Sequence, residues 1–305
     1  MPPDNGSGRK SGKLGLFAGG GEFPRHILAA CRASERDVFV LAFEGQTDPE
    51  TVEGVPHIWT RFGNVGGALE TLKTEGVGEV VLAGAMARPS LLSLKPDAAT
   101  AKLAARLLKS AFGDDKLLGA VMTELEKMGF KIIGADELLE HLVAIEGPYG
   151  AHIPDAQARS DIARGVEVAR ALGLADVGQS GVVQQGIVLG VEAVEGTDAL
   201  IERCAALSRE GPGGVLVKLM KPGQDRRADL PSIGPATVVA PGKAGPAGLA
   251  AAAGRALALE HDVTARRAAD AGVSFTGLRA APSLPPATPA RPPSSSPGNL
   301  LPLLP

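Results

Sequence analysis

Apolar and polar residues fall in blocks along the first half of the chain. Leu14-Gly15-Leu16-Phe17-Ala18 is a short continuous apolar run, the pattern of a strand buried on both faces. It leads into Gly19-Gly20-Gly21-Glu22-Phe23-Pro24, and a helix is predicted from Pro24 to Ala33. Further strands are predicted at Val38–Phe43, His57–Arg61, Glu79–Ala83 and Lys131–Gly134. Helices are predicted at Val65–Glu75, Asp97–Ser110 and Asp114–Met128, with a short one at Glu137–His141. Alternation of strands and helices predicts a parallel α/β sheet.

The pattern breaks at Gly147–Pro154, which reads as a linker. Beyond it, helices are predicted at Ala156–Leu172, Thr197–Ser208 and, in very Ala-rich sequence, Gly248–Glu260. Strands are predicted at Ile187–Ala193, Val215–Met220 and Thr237–Ala240. From Ala281 the chain is Pro, Ser and Ala without periodicity, too poor in apolar residues to bury a core. The expected fold is α/β in two domains: a Rossmann-like parallel sheet with helices over 13–146 and, after a linker at 147–155, a mixed α/β domain over 156–280, which is expected to carry catalysis. A disordered tail is expected over 281–305.

Composition narrows the function. Of 305 residues, 44% are hydrophobic but only 3% aromatic, so the cores must be built from Ala, Val, Leu and Ile. A net charge of −3 lacks the basic footprint of a nucleic-acid binder, and few aromatics are available to stack on bases. Cys31 and Cys204 lie in Ala-rich helical patterns at no metal-binding spacing, and read as reduced core residues of a cytoplasmic protein. The N-terminus has no apolar signal region, and no stretch approaches the roughly 18 apolar residues of a membrane span.

Four segments carry candidate chemistry. Lys218 to Pro231 follows the predicted strand at Val215 and packs two Lys, two Arg, two Asp and a Gln into fourteen positions, bounded by Pro222-Gly223 and Pro231. Lys218, Lys221 and Arg226 are candidates to hold phosphate oxygens, and Asp225 to bind a metal or activate water. Surface ion pairing is the plainer explanation of such a run, but its place directly after a core strand favours function.

Gly19, Gly20 and Gly21 stand between a strand and a helix, where backbone N–H groups can approach a phosphate. A tight turn explains them equally well, and Pro24 occupies the third position of a dinucleotide fingerprint. Met86 and Arg88 end the strand at Glu79–Ala83, and Lys116 follows Gly113-Asp114-Asp115 at a helix start; all three are candidate ligand contacts. In the fourth segment, Val182-Val183-Gln184-Gln185-Gly186 precedes a strand that ends among Glu192, Glu195, Gly196, Thr197 and Asp198. Thr197 reads as an N-cap with Asp198 in the first turn. The same N–H groups suit a phosphate, and Glu192, Glu195 and Asp198 beside Asp225 suit magnesium. The five histidines are scattered, and neither a Gly-x-Ser-x-Gly elbow nor a Nudix-type glutamate cluster is present.

These segments together resemble the LpxI-type UDP-2,3-diacylglucosamine pyrophosphatases over roughly residues 13 to 280. The motifs are Ala18 to Pro24, Gly113-Asp114-Asp115, Val182 to Gly186 with Val191 to Asp198, and Lys218 to Pro231. The resemblance implies magnesium-dependent cleavage of UDP-2,3-diacylglucosamine to UMP and 2,3-diacylglucosamine 1-phosphate (lipid X) in lipid A synthesis. It implies two α/β domains with the lipid between them, and an essential aspartate in the Gln-Asp-Arg-Arg motif, here Asp225. Gln185, Gly186 and Thr197 are carried as substrate contacts on the same grounds. Transient contact with the inner-membrane surface fits an acylated substrate, and a homodimer is admitted. The tail beyond Arg279 departs from the family pattern. The competing readings are a non-catalytic nucleotide-sugar or lipid carrier and an NAD-dependent oxidoreductase, which needs Gly in place of Pro24.

Overall fold

The computed structural model describes residues 12–87, 97, 100–102, 114–228, 230–235, 237–238 and 246–279, with the side chains of 114–116 left aside. Arg88, Asp229, the Lys116 side chain, the tail and most of the helix expected at Asp97–Ser110 lie outside the described residues.

The first sheet contains β1 (Lys13–Ala18), β2 (Val38–Phe43), β3 (His57–Thr60), β4 (Val77–Ala83) and β5 (Lys131–Ile132), all parallel, in the order β3-β2-β1-β4-β5. Helices α1 (Phe23–Ala33), α2 (Val65–Thr74), α3 (Asp114–Lys127) and the single turn α4 (Ala135–Leu138) accompany it. From Leu14 onward the central strand is apolar, because both of its faces are covered. Leu14, Leu16 and Ala18 join one core with Ile27, Leu28 and Cys31 of α1, while Phe17 joins the other with Leu69 and Leu72 of α2. Pro24 sits in the first turn of α1, where its missing N–H is no loss. The direction of strand succession reverses between β1 and β4, which puts the topological switch point at their carboxyl ends.

The second region contains β6 (Gly147–Pro148), β7 (Ser180–Gln184), β8 (Ile187–Val191), β9 (Val215–Lys218), β10 (Ser232–Ile233), β11 (Gly248–Ala252), β12 (Leu257–Ala258) and β13 (Ser274–Leu278). Its helices are α5 (Ala156–Leu174), α6 (Gly196–Ala205) and α7 (His261–Asp270). Six strands form a mixed sheet in the order β6-β13-β11-β9-β7-β8, and β10 and β12 form a separate parallel pair. Within the large sheet β9, β11 and β13 run parallel, and β6 and β7 run against their neighbours.

Three predicted elements differ; of the strand expected at Thr237–Ala240, the described Thr237 and Val238 are not strand, and residues 239–240 lie outside the described residues. The Ala-rich stretch 248–260 is β11, a turn and β12, not a helix. Alanine favours helix in isolation, but here Leu249 and Ala251 enter one core and Ala250 and Ala252 the other, the two-residue period of a strand paired on both edges. The expected linker begins as β6, paired with β13. Tyr149 behind it is buried and stacks on Phe275 at 4.2 Å, so this segment belongs to the second sheet. Helix α7, β7 and β13 were not anticipated, because they are too short or too mixed in polarity to show a period.

The two regions share a core. Leu230, Leu257 and Leu259 pack into the cluster of β1 and α1. The Ala144 N–H donates to Ala256 O at 2.8 Å, and that of Gly254 to Ala144 O at 2.7 Å.

Candidate active site at the domain seam

At the switch point the loops after β1 and β4 lie backbone against backbone. The Gly19 N–H donates to Ala83 O and that of Gly20 to Ala85 O, while Ala85 returns a bond to Gly20 O. A Cβ on Gly19 would lie 2.5 Å from Ala85 O, and one on Gly20 would lie 2.8 Å from Gln46 O, so close approach demands glycine at both. Gly21 adopts φ +84 and gives its N–H to Asp48 Oδ2 at 2.8 Å. The three N–H groups expected to receive a phosphate are thus engaged within the protein, and the cluster joins two loops. Met86, at the end of the same pair of loops, is exposed.

The Lys218–Pro231 segment leaves the carboxyl end of β9 and crosses to the first sheet. Met220 and Leu230 pack on the β1–α1 core, and Ala228 packs on the opposite core. The Arg226 Nη2 donates to Asp136 Oδ2 at 2.8 Å, and the Arg227 Nη1 to Glu126 Oε1 at 2.8 Å. Asp136 and Glu126 stand on α4 and α3, either side of β5. The segment therefore lies over the carboxyl end of the first sheet, and the carboxyl ends of the two parallel sets face one seam. Ligands of open α/β sheets bind at such ends.

Asp225 is held by its near neighbour Arg227. The guanidinium Nε donates to both carboxylate oxygens at 3.1 and 3.2 Å, Nη2 donates to Oδ2 at 2.7 Å, and the Arg227 backbone N–H reaches Oδ1 at 2.9 Å. This fork lowers the Asp225 pKa below the ordinary aspartate value, against a smaller opposing effect of burial. Its partner Arg227 is shifted upward by the same bonds and by Glu126. Lys221 Nζ lies 2.9 Å from Asp176 Oδ1, and Lys218 Nζ lies 3.4 Å from Ser232 O.

The carboxylates expected to share a metal with Asp225 point elsewhere. Glu192 is buried, accepting from Thr197 Oγ1 at 2.7 Å and from the Gln179 N–H at 3.2 Å. Glu195 pairs with Arg203 at 2.7 Å, and Asp198 is exposed in the first turn of α6. The ligand atoms of Asp225, Glu192, Glu195 and Asp198 do not form one group; among the described residues only Glu22, His26 and Glu260 bring three metal-ligating side chains within 4.8 Å. Thr197 lies inside α6 rather than capping it, because its hydroxyl is taken by Glu192; the N-cap position is Glu195.

Gln185 and Gly186 stand at the far end of the second sheet from Lys218. Strand β7 runs against β9, so Ser180 is the residue beside Lys218, and the turn after Gln184 lies at the opposite edge. That turn is a backbone device: Gln185 and Gly186 have φ of 53° and 77°, and their N–H groups donate to the buried Asp161 at 2.9 and 2.7 Å. The Gln184 amide, fully buried, bonds Arg209 and Pro212.

Sequence reasoning missed Asp136, Glu126, Asp176 and Gly173. The first three pair with cations of the Lys218–Pro231 segment. A Cβ on Gly173 would stand 2.7 Å from Pro222 Cδ, so glycine there lets α5 meet the loop. No local pattern marks these residues, since their partners are distant in the chain.

Comparison with known proteins agrees with this architecture. Residues 13–142 match the LpxI N-terminal domain and residues 145–276 the LpxI C-terminal domain. The chain is 38% identical over 273 residues to the UDP-2,3-diacylglucosamine pyrophosphatase LpxI of Caulobacter vibrioides, covering 87% of this chain and 97% of that protein. Two family domains in series, each built around one of the sheets whose carboxyl ends meet at the seam, establish that the chain belongs to the LpxI family.

Proposed function

We propose that this chain hydrolyses the pyrophosphate of UDP-2,3-diacylglucosamine to UMP and 2,3-diacylglucosamine 1-phosphate, as a step of lipid A synthesis. Membership of the LpxI family supports the reaction class, and one structural observation carries its location: the Gln224-Asp225-Arg226-Arg227 segment reaches from the second sheet across the carboxyl end of the first. In the reaction a water oxygen bonds to one phosphorus, the bridging P–O bond breaks, and the water proton passes to a base or to solvent.

The fork between Asp225 and Arg227 decides what Asp225 does. A general base works best with a pKa near the working pH, and the fork holds this carboxylate below even the ordinary aspartate range. Arg227 is also the natural partner of a phosphate, which offers the same two-oxygen geometry. When substrate takes the guanidinium, Asp225 loses the main cause of its lowered pKa and is freed toward the reacting water. Lys218, Lys221 and Arg226 add positive charge along the same segment. Closure of the seam around the substrate removes water and strengthens each of these contacts.

The resemblance implies magnesium, which when bound stabilises charge on the transferring phosphoryl group. The proposed oxygen donors Asp225, Glu192, Glu195 and Asp198 do not gather into a ligand set. EDTA is expected to abolish turnover and added magnesium to restore it; full activity in exhaustively chelated enzyme removes the requirement.

Among the described residues no helix is long and apolar enough to cross a membrane, and contact with an inner-membrane surface belongs to this proposal. The deciding experiment is phosphorus NMR of products formed from UDP-2,3-diacylglucosamine with and without magnesium. Appearance of UMP and the acylated sugar phosphate is expected. Tight binding without products identifies a carrier instead.

A further inference from the structure

We propose that Glu22, His26 and Glu260 form a binding site for a divalent transition-metal ion that ties the two domains together. Glu22 and His26 are four residues apart at the start of α1 and therefore project from one helical face. Glu260 comes from the other domain, between β12 and α7. One ligand atom from each falls within 4.8 Å of the others.

The separation leaves room for an ion. His26 Nε2 and Glu260 Oε1 stand 4.0 Å apart, too far for a hydrogen bond. Two ligands of one zinc ion, each about 2.1 Å from it, stand a little closer than this. A small side-chain rotation closes the difference. Among the described residues none of these three side chains makes a hydrogen bond, and the ion pair among them is the one between His26 and Glu260 themselves.

The side chains of His26 and Glu260 are 23% and 38% exposed, open enough for an ion and a water to enter. One imidazole and two carboxylates, with a fourth position left for water, suit zinc, manganese or cobalt; magnesium prefers an all-oxygen shell. The flanking residues Ile27, Leu28 and Leu259 already share one core, which holds the two sides in register without metal. The site shares no residue with the Lys218–Pro231 segment.

The test uses the full-length chain, freed of metal and titrated with zinc alone by calorimetry and with cobalt by visible absorption. One ion per chain is expected, with a cobalt spectrum showing nitrogen ligation and a raised thermal midpoint. His26→Ala and Glu260→Gln should each weaken zinc binding by at least about tenfold, since even losing a group that only supports a ligand costs that much. His152→Ala should leave it intact, and circular dichroism checks that each variant is folded. Binding unchanged in both site variants, or no stoichiometric binding by the parent chain, overturns the site. A midpoint shift by magnesium that survives His26→Ala reports an ion elsewhere and does not count as support.

Discussion

The loops at the two sides of the seam are held by different forces. On the first-domain side, the loops after β1 and β4 close on themselves through backbone bonds between residues 19–20 and 83–85, with glycine wherever a Cβ would collide. On the second-domain side, the Lys218–Pro231 segment is fixed through charged side chains to Glu126, Asp136 and Asp176, with apolar anchors at Met220 and Leu230. The first side presents shape and tolerates little change in volume. The second presents charge that a ligand phosphate can redistribute. One side is therefore built to position and the other to respond, and the variants below separate the two.

The largest expected effect lies on the charged side. Asp225→Ala is expected to fold and bind substrate while turning over at least about a hundredfold more slowly, the lower end of what a positioned base contributes. Binding should survive because Lys218, Lys221 and Arg226 remain. Single-turnover kinetics with a separate binding measurement decides it. Near-normal turnover in folded protein removes Asp225 from the chemistry.

On the backbone side the response should be steric and should appear in stability. Gly19→Ala forces a methyl against Ala85 O and Gly84 at 2.5 to 2.7 Å, and these are backbone atoms that cannot swing away. A loss of about 1–3 kcal/mol is expected by urea denaturation. Gly21→Ala meets open space and pays only for its φ of +84, a penalty of about 1–2 kcal/mol. If Gly19→Ala is harmless, backbone closure is not what holds this side.

A smaller effect is expected for Arg226→Gln, which removes the ion pair to Asp136. Arg226 is 48% exposed at its side chain, so stability should fall by less than about 1 kcal/mol and the difference should shrink with added salt. The contrast with Gly19→Ala is the point: salt should leave the steric variant's deficit unchanged.

The two sides also differed in how far sequence revealed them. β1, β2 and β4 were readable because residues buried on both faces leave apolar runs at 14–18, 38–43 and 80–83. β11 was not, because Gly-Leu-Ala-Ala-Ala carries helical propensity and its strand state comes from pairing with β9 and β13, far away in the chain. The charged segment was readable by composition and by its place after β9. Its meaning was only half readable: nothing local connects Arg227 to Glu126, 101 residues away, or shows that Arg227 occupies Asp225. The Gln184-Gln185-Gly186 motif was legible as a motif, but not in its local geometry. The resemblance implied substrate contacts there; the structure shows an exposed turn whose N–H groups rest on the buried Asp161, while the Gln184 and Gln185 side chains bond the 209–212 loop.

The smallest effect expected is a pH dependence confined to the charged side. Arg227 lowers the Asp225 pKa in the folded chain, so the folded state binds fewer protons than the unfolded one between the two values. Stability from this pair is therefore fully present above the unfolded aspartate value of about 3.9 and is lost as pH falls through the folded value. Glu79, lowered by Lys131 and Arg36, titrates with the same sign, so total acid stability does not isolate Asp225. The difference between parent and Asp225→Asn does. It should be constant from neutrality down to about pH 5 and then shrink, with Arg227→Gln flattening it throughout. Because the Asp225 side chain is 37% exposed, solvent screens the pair and the change should be modest. A difference curve that grows toward acid pH would mean that the unfolded chain, not the fork, favours the ionised carboxylate.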